Sequence, residues 1–118
     1  MQLTDIEEQA NEVGIDEVVI PNYNKIKDYT IERVNGEYID QSRYVIFEHN
    51  TPGTYIVLLQ EGCCYIGGEY EWQKPKVRRF DSFEQLVKSI DLPPEMIAEK
   101  LLGNESIYNM IAWKVMYE

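Results

Sequence analysis

The sequence contains few of the residues that cross-link small secreted domains or bind metals. Its only thiol and imidazole groups belong to Cys63, Cys64 and His49. Adjacent residues of a strand point to opposite faces, so this cysteine pair cannot form an ordinary loop-closing disulfide. Paired CxxC or HxxxH spacing, which a zinc site would need, does not occur. We therefore expect a reducing compartment and neither a metal nor another cofactor.

Long apolar runs and targeting signals are also missing. No stretch approaches the roughly 18 consecutive apolar residues of a membrane helix. Residues 1–5 lack the basic-then-apolar order of a secretory signal. We therefore expect a cytoplasmic protein without membrane association, located in the host cytoplasm if a phage encodes it.

Catalytic motifs are absent as well. The GxSxG, P-loop and dinucleotide-binding patterns do not occur. Gly67-Gly68 precedes a predicted strand, whereas a phosphate-binding loop precedes a helix. A Cys-His catalytic pair would require His49 to approach Cys63 or Cys64. An enzymatic function is therefore the less favoured hypothesis.

Basic residues are outnumbered. The chain has 11 Lys and Arg against 21 Asp and Glu, a formal net charge of -10. This balance opposes nonspecific binding to nucleic acid or anionic lipid, both of which attract clustered cations. Residues 1–24 carry six acids and no Lys or Arg, whereas residues 74–79 carry four cations. The acidic excess indicates either a face complementary to a basic protein or simple solubility.

The residues that are present predict one α+β domain. The 118 residues are 44% hydrophobic and 12% aromatic, enough for one core without disulfides. Thr4 and Glu7 fit a capping box that begins a helix over residues 5–13, and Gly14 would end it. Asn35-Gly36 between β-prone runs predicts a tight hairpin turn.

The middle of the chain predicts an antiparallel meander of about four to five strands, because the connections are too short for parallel crossovers. The 55–59 run is apolar on both faces, which favours a central position. Glu61-Gly62 is expected to turn the chain, and Pro75 to confine residues 74–79 to an edge strand or loop. The segments with strand signals are residues 29–34, 37–40, 44–48, 55–59, 63–66 and 69–72.

Two or three helices are predicted to follow and to pack on one face of the sheet. Ser82 can cap the first of them, with Gln85 at the third helical position. Pro94 suits the first turn of the second helix, and Gly103 would end it. Asn104 can cap a last helix that is apolar over most of its circumference.

Two acidic segments are candidates for a partner-binding surface. One is the acidic side of the first helix; the other alternates acids with aromatic residues, which are favoured at interfaces. Glu69 and Glu71 have an alternative role as an acid/base pair, provided that a pocket surrounds them. The candidate partner-binding residues are Glu7, Glu8, Glu12, Glu69, Tyr70, Glu71 and Trp72, and the candidate phosphate-contacting residues are Lys74, Lys76, Arg78 and Arg79.

In size, acidity and lack of motifs, the chain resembles small inhibitor proteins as a class: bacterial immunity, phage anti-defence and anti-CRISPR proteins. No residue pattern carries this resemblance, so no binding residue follows from it. The leading hypothesis is a non-enzymatic protein of bacterial or phage origin that binds, and inhibits, a basic nucleic-acid-processing partner stoichiometrically. The alternatives are a nucleic-acid-associated protein that uses residues 74–79 and a self-associating structural subunit.

Overall fold

A computed structural model describes residues 2–101 of the chain. The chain divides into two compact units, the first ending at Asp81 and the second beginning at Ser82. The predicted α+β class is confirmed, with an N-terminal helix, an antiparallel sheet and C-terminal helices. Within the described range, no helix is long and apolar enough to span a bilayer.

The first helix, α1, spans Leu3–Val13 and is followed by Gly14, as predicted. Gly14 has φ = 90°, a conformation that glycine adopts without steric cost. The helix begins before its predicted start, because Gln2 and not Thr4 is the N-cap. The Asp5 carboxylate accepts a hydrogen bond from the Gln2 backbone amide at 3.0 Å, which fixes the chain in a helical turn ahead of Thr4.

Within residues 2–101, five strands follow a short 3-10 turn at Ile15–Glu17. They are β1 (Tyr23–Asn35), β2 (Tyr38–His49), β3 (Tyr55–Tyr65), β4 (Glu71–Trp72) and β5 (Lys76–Phe80). The order β1-β2-β3-β4 is a meander, as predicted, and β5 also pairs with β3. Because β2 occupies one edge of β3, both β4 and β5 lie along the other, and β3 is central. Pro75 separates these two short edge strands.

The strands β2 and β3 are longer than predicted, and each includes most of two segments that the sequence patterns predicted as separate strands. The predicted Asn35-Gly36 turn connects β1 and β2, with Gly36 at φ = 63°. However, residues 38–40 and 44–48, from two separately predicted segments, belong to one strand. The turn predicted at Glu61-Gly62 is wrong, because β3 runs through it and pairs with β2 along its whole length. The continuous ladder outweighs the weak strand preference of a single glycine.

The core of the first unit lies between α1 and one face of the sheet, which we name the helix face. Ile6 and Ala10 of α1 are almost completely buried there. On the opposite face, Ile46, Tyr55 and Val57 are also buried. The apolar runs of β2 and β3 are therefore buried on both sides, as expected for central strands. The sheet residues of the helix-face cluster are Val45, Phe47, Ile56, Leu58 and Val77.

An ion-pair network joins the helix face to the 3-10 turn. Arg43 of β2 donates from Nε and Nη2 to the carboxylate of Asp28 on β1, at 3.1 and 2.7 Å. The same Nη2 donates to Asp16 of the turn. The hydrogen bond from Arg43 holds the pKa of Asp16 below its ordinary value of 3.8. The hydrogen bonds to Asp28 and Asp16 raise the pKa of the guanidinium.

A second polar contact connects α1 to the edge of the sheet. The Glu7 carboxylate accepts a hydrogen bond from the backbone amide of Val77 on β5, at 3.0 Å in a partly buried position. This amide points away from β3 and would otherwise belong to an unpaired strand edge. Glu7 therefore serves the fold as well as the acidic surface of α1.

We expect Glu7→Ala to lower the free energy of unfolding by about 1–2 kcal/mol, because it leaves the Val77 amide unpaired. Glu7→Gln keeps an acceptor oxygen and should stay within about 0.5 kcal/mol of the native protein. Urea unfolding measures both, with Glu8→Ala as the control on the exposed side of the same helix. Equal stabilities of Glu7→Ala and Glu8→Ala would show that the contact contributes nothing.

The second unit contains α2 (Phe83–Ser89) and α3 (Pro94–Leu101), which begin where the sequence predicted. The Ser82 hydroxyl accepts a hydrogen bond from the Gln85 backbone amide at 3.2 Å, so the predicted N-cap is confirmed. The end of the second helix and the last helix, predicted from Asn104 onward, lie outside the described residues. The packing of these helices on the sheet stays a prediction.

Candidate functional site

The sheet ends in a surface that combines exposed apolar side chains with carboxylates. We name it the tip surface; it comprises residues 31–42, around the β1–β2 turn, and residues 61–72, from the end of β3 to β4. These segments carry six carboxylates and one arginine, a net charge of -5. Half of the net charge of the chain thus lies in about a fifth of its residues. The large apolar side chains exposed there are Val34, Tyr38, Tyr65, Ile66 and Trp72.

The pairing register brings two of these aromatic residues together. Tyr38 and Tyr65 face each other across β2 and β3, with ring centroids 5.3 Å apart in an edge-to-face arrangement. The Tyr65 hydroxyl donates to Glu37 Oε2 at 2.6 Å, and this bond raises the pKa of Tyr65. The two rings are therefore held in fixed positions while about half of each remains exposed.

Trp72 occupies a place that only a glycine partner leaves open. It pairs with Gly62 of β3, and a Cβ at position 62 would lie 2.6–2.9 Å from atoms of the indole ring. Tyr70 packs beside Trp72, with ring centroids 5.6 Å apart. Partial burial, together with the Cys64 thiol, raises the pKa of Tyr70 to about 12. Two of the four residues predicted in the 69–72 segment therefore form one aromatic pair over the end of β3.

A row of paired residues crosses the face of the sheet that carries Tyr38 and Tyr65, which is the face opposite to Trp72. Arg33, Asp40, Cys63 and Glu71 occupy successive paired positions across β1, β2, β3 and β4. A hydrogen bond to Asp40 raises the pKa of the Cys63 thiol, and the nearby Glu71 acts in the same direction. Since the thiolate is the nucleophilic form, this environment disfavours nucleophilic chemistry at Cys63.

The Cys-His pair considered from the sequence does not form. His49 and Asp40, the partner of Cys63, are at opposite ends of β2, about 30 Å apart at the usual rise of a strand. Cys64 points to the other face, where it is buried. Among residues 2–101, no group of His, Cys, Asp and Glu side chains is arranged to hold a metal ion.

The structure divides the predicted partner-binding residues between two places. Glu69, Tyr70, Glu71 and Trp72 belong to the tip surface, although only Glu71–Trp72 is strand. The other candidates, Glu7, Glu8 and Glu12, lie on α1, whose buried side packs on the other half of the helix face. Glu8 and Glu12 are exposed and one helical turn apart.

The basic segment is also divided. On β5, Lys76 and Arg78 share one face of the sheet, and Arg79 is on the helix face. Arg79 forms an ion pair with Asp81, at 3.2 Å between Nε and Oδ1. Lys74 precedes the strand and is exposed. The four cations predicted to contact phosphate therefore do not form a single row.

Sequence reasoning did not identify Val34, Tyr38, Tyr65 and Ile66 as surface residues. Their proximity follows from the length and register of β2 and β3, which local patterns underestimated. The available signal was the Asn35-Gly36 turn, because large apolar residues beside a hairpin turn lie at the end of a sheet. No family model, no curated protein and no solved structure matches this chain.

Proposed function

We propose that the protein acts without catalysis, by stoichiometric binding of a basic protein partner to the tip surface. The observation that carries the proposal is that five exposed large apolar side chains lie in two segments at the end of the sheet that together carry a net charge of -5. Tyrosine and tryptophan are the residues that most often dominate binding energy at protein interfaces.

The arrangement of the rings supports this role. Tyr38 packs against Tyr65, and Tyr70 against Trp72, so these side chains lose little conformational freedom when a partner covers them. The surrounding carboxylates would attract a basic partner and disfavour acidic ones, because charge complementarity governs association rate and specificity.

More specifically, we propose that the protein inhibits a nucleic-acid-processing protein. Such a partner has a basic working surface, because it must bind phosphates. An acidic surface with aromatic anchors would cover that basic surface and compete with the nucleic acid. This more specific role is suggested by the negative charge of the tip surface, because the nucleic-acid backbone is also negatively charged.

The test compares two charge reversals of equal size. Glu69→Lys with Glu71→Lys changes the tip surface, and Glu8→Lys with Glu12→Lys changes α1. A partner is captured from the source lysate with the native protein, purified, and titrated against both variants by calorimetry. We expect about tenfold weaker binding for the tip variant and nearly native affinity for the α1 variant.

Four outcomes would contradict the proposal. Equal weakening by both variants would show that overall charge and not the tip surface determines binding. Affinity unchanged by raised salt would exclude an electrostatic contribution. A mobility shift of nucleic acid at moderate salt, abolished by Arg78→Glu with Arg79→Glu, would favour the basic segment instead. Sedimentation of the purified protein as a stable oligomer would favour a self-associating subunit.

A further inference from the structure

A groove of about 930 Å³ opens at the end of the sheet opposite the tip surface, between the start of α1 and the β2–β3 loop. Its volume lies in the range of small-molecule binding sites. Leu3 and Tyr23 give it partly exposed apolar surface, and the buried side chains of Ile6, Ile20 and Ile56 lie beneath them. None of these residues belongs to the tip surface.

His49 forms part of the groove wall with a fixed ring orientation. Its ring contacts Tyr23 edge-on, with centroids 4.9 Å apart. Its Nδ1 accepts a hydrogen bond from the Thr51 backbone amide at 3.0 Å, so the proton of the neutral ring is on Nε2. In the described part of the chain, His49 makes no side-chain hydrogen bond through Nε2. The ring therefore offers one donor to the groove.

Arg79 offers further donors on the same face of the sheet. It pairs with Ile56 in the β3–β5 register, and Ile56 pairs with Phe47, two residues before His49. Arg79 and His49 are thus separated by two strand spacings and an offset of two residues along the strand, about 12 Å between their backbones, with β3 between them. Arg79 binds Asp81 through Nε, which leaves its two terminal nitrogens for a ligand.

We propose that this groove binds a small organic carboxylate with an apolar body. The carboxylate accepts hydrogen bonds from Arg79 and from Nε2 of His49, while the apolar body packs against the partly exposed side chains of Leu3 and Tyr23. Guanidinium and carboxylate match in shape and charge. A phosphate fits less well, because it carries more negative charge than a carboxylate and Asp81 already balances Arg79.

Hexanoate is the probe, and two-dimensional NMR titration of the whole chain measures its binding. Hexanamide keeps the apolar body without the charge, and acetate keeps the charge without the body. We expect hexanoate to bind with millimolar affinity and each comparator at least about tenfold more weakly. The shifts should be concentrated at residues of the groove.

Two neighbouring arginines provide a matched control. Arg79→Gln should weaken hexanoate binding about tenfold, because it removes the charge-assisted hydrogen bonds. Arg78→Gln changes the charge equally on the opposite face of β5 and should leave the affinity unchanged. His49→Phe keeps a ring beside Tyr23 but removes the Nε2 donor, and should weaken binding about fivefold.

No saturable binding of hexanoate up to about 10 mM would overturn the proposal, as would equal effects of Arg78→Gln and Arg79→Gln. Equal binding of hexanoate and hexanamide would exclude a carboxylate site. The tip variant with Glu69→Lys and Glu71→Lys should bind hexanoate normally, so this result does not depend on the proposed function. Circular dichroism establishes that every variant is folded.

Discussion

Replacing Gly62 with alanine should displace Trp72 and lower the free energy of unfolding by about 1–2 kcal/mol. The added Cβ would lie under 3 Å from the indole ring, which is closer than any van der Waals contact allows. The backbone of β3 is held by β2 and by β4, so the indole moves instead. Urea unfolding measures the stability, and tryptophan emission in a Trp113→Phe background reports the exposure of Trp72.

A double-mutant cycle separates the steric effect from the general effect of alanine in a strand. With Trp72→Ala already present, Gly62→Ala should stabilise the protein by about 0.5–1 kcal/mol, because alanine restricts the unfolded chain more than glycine does. The effect of Gly62→Ala on stability therefore changes sign when Trp72 is removed. The coupling energy between the two positions is about 2 kcal/mol. If Gly62→Ala changed the free energy of unfolding equally in both backgrounds, the absence of a Cβ at position 62 would not be what makes room for the indole ring. Under the proposed function, Gly62→Ala should also weaken partner binding.

Replacing Arg43 with methionine should lower the free energy of unfolding by about 2–3 kcal/mol at pH 7. Methionine keeps most of the apolar stem but leaves the Asp28 carboxylate, which Arg43 binds through two nitrogens, without its cation. The guanidinium side chain is only 23% exposed, so water replaces these bonds incompletely. Arg43→Lys should recover less than half of the loss, because one ammonium group cannot match both bonds.

The pH dependence of this difference has a defined sign. Arg43 lowers the pKa of Asp16 in the folded protein below its ordinary value of 3.8. The bond therefore stabilises the fold above that value, and its contribution is lost as the pH falls through the folded-state pKa. Asp16 is largely exposed, so its share is small. The stability gap between the native protein and Arg43→Met should narrow between pH 5 and pH 2 in urea titrations. A stability difference between the two proteins that increases as the pH falls would contradict the stabilising role of the Arg43–Asp16 bond.

The sequence predicted those elements whose signals are local. The Asn35-Gly36 turn, Gly14 after α1, Ser82 before α2 and Pro94 at the start of α3 each act within one turn of the chain. The extent of β2 and β3 was underestimated, because strand pairing is a long-range property. Glu61-Gly62 has the composition of a turn, and the partner that accounts for Gly62 is ten residues away.

The candidate site was predicted only in part, for a related reason. The alternation of acids and aromatic residues over 69–72 was visible along the chain. The neighbours of this segment at the tip surface, among them Tyr38 and Tyr65, come from two other strands. Their residue type gives no indication of exposure, since tyrosine occurs both in cores and at interfaces. The contact of Glu7 with Val77 joins residues 70 positions apart and has no sequence signature.

The strict alternation of the two faces limits how the sheet can change in length. Deleting one residue from β3 beyond Gly62 would move its remaining side chains to the other face, exchanging Cys63 with Cys64 and separating Tyr65 from Tyr38. The β1–β2 ladder contains one irregularity, between Lys25 and Lys27, where a single extra residue is accommodated. Insertions and deletions that preserve both faces must therefore either come as pairs of residues, matched on neighbouring strands, or be accommodated by a bulge of this kind.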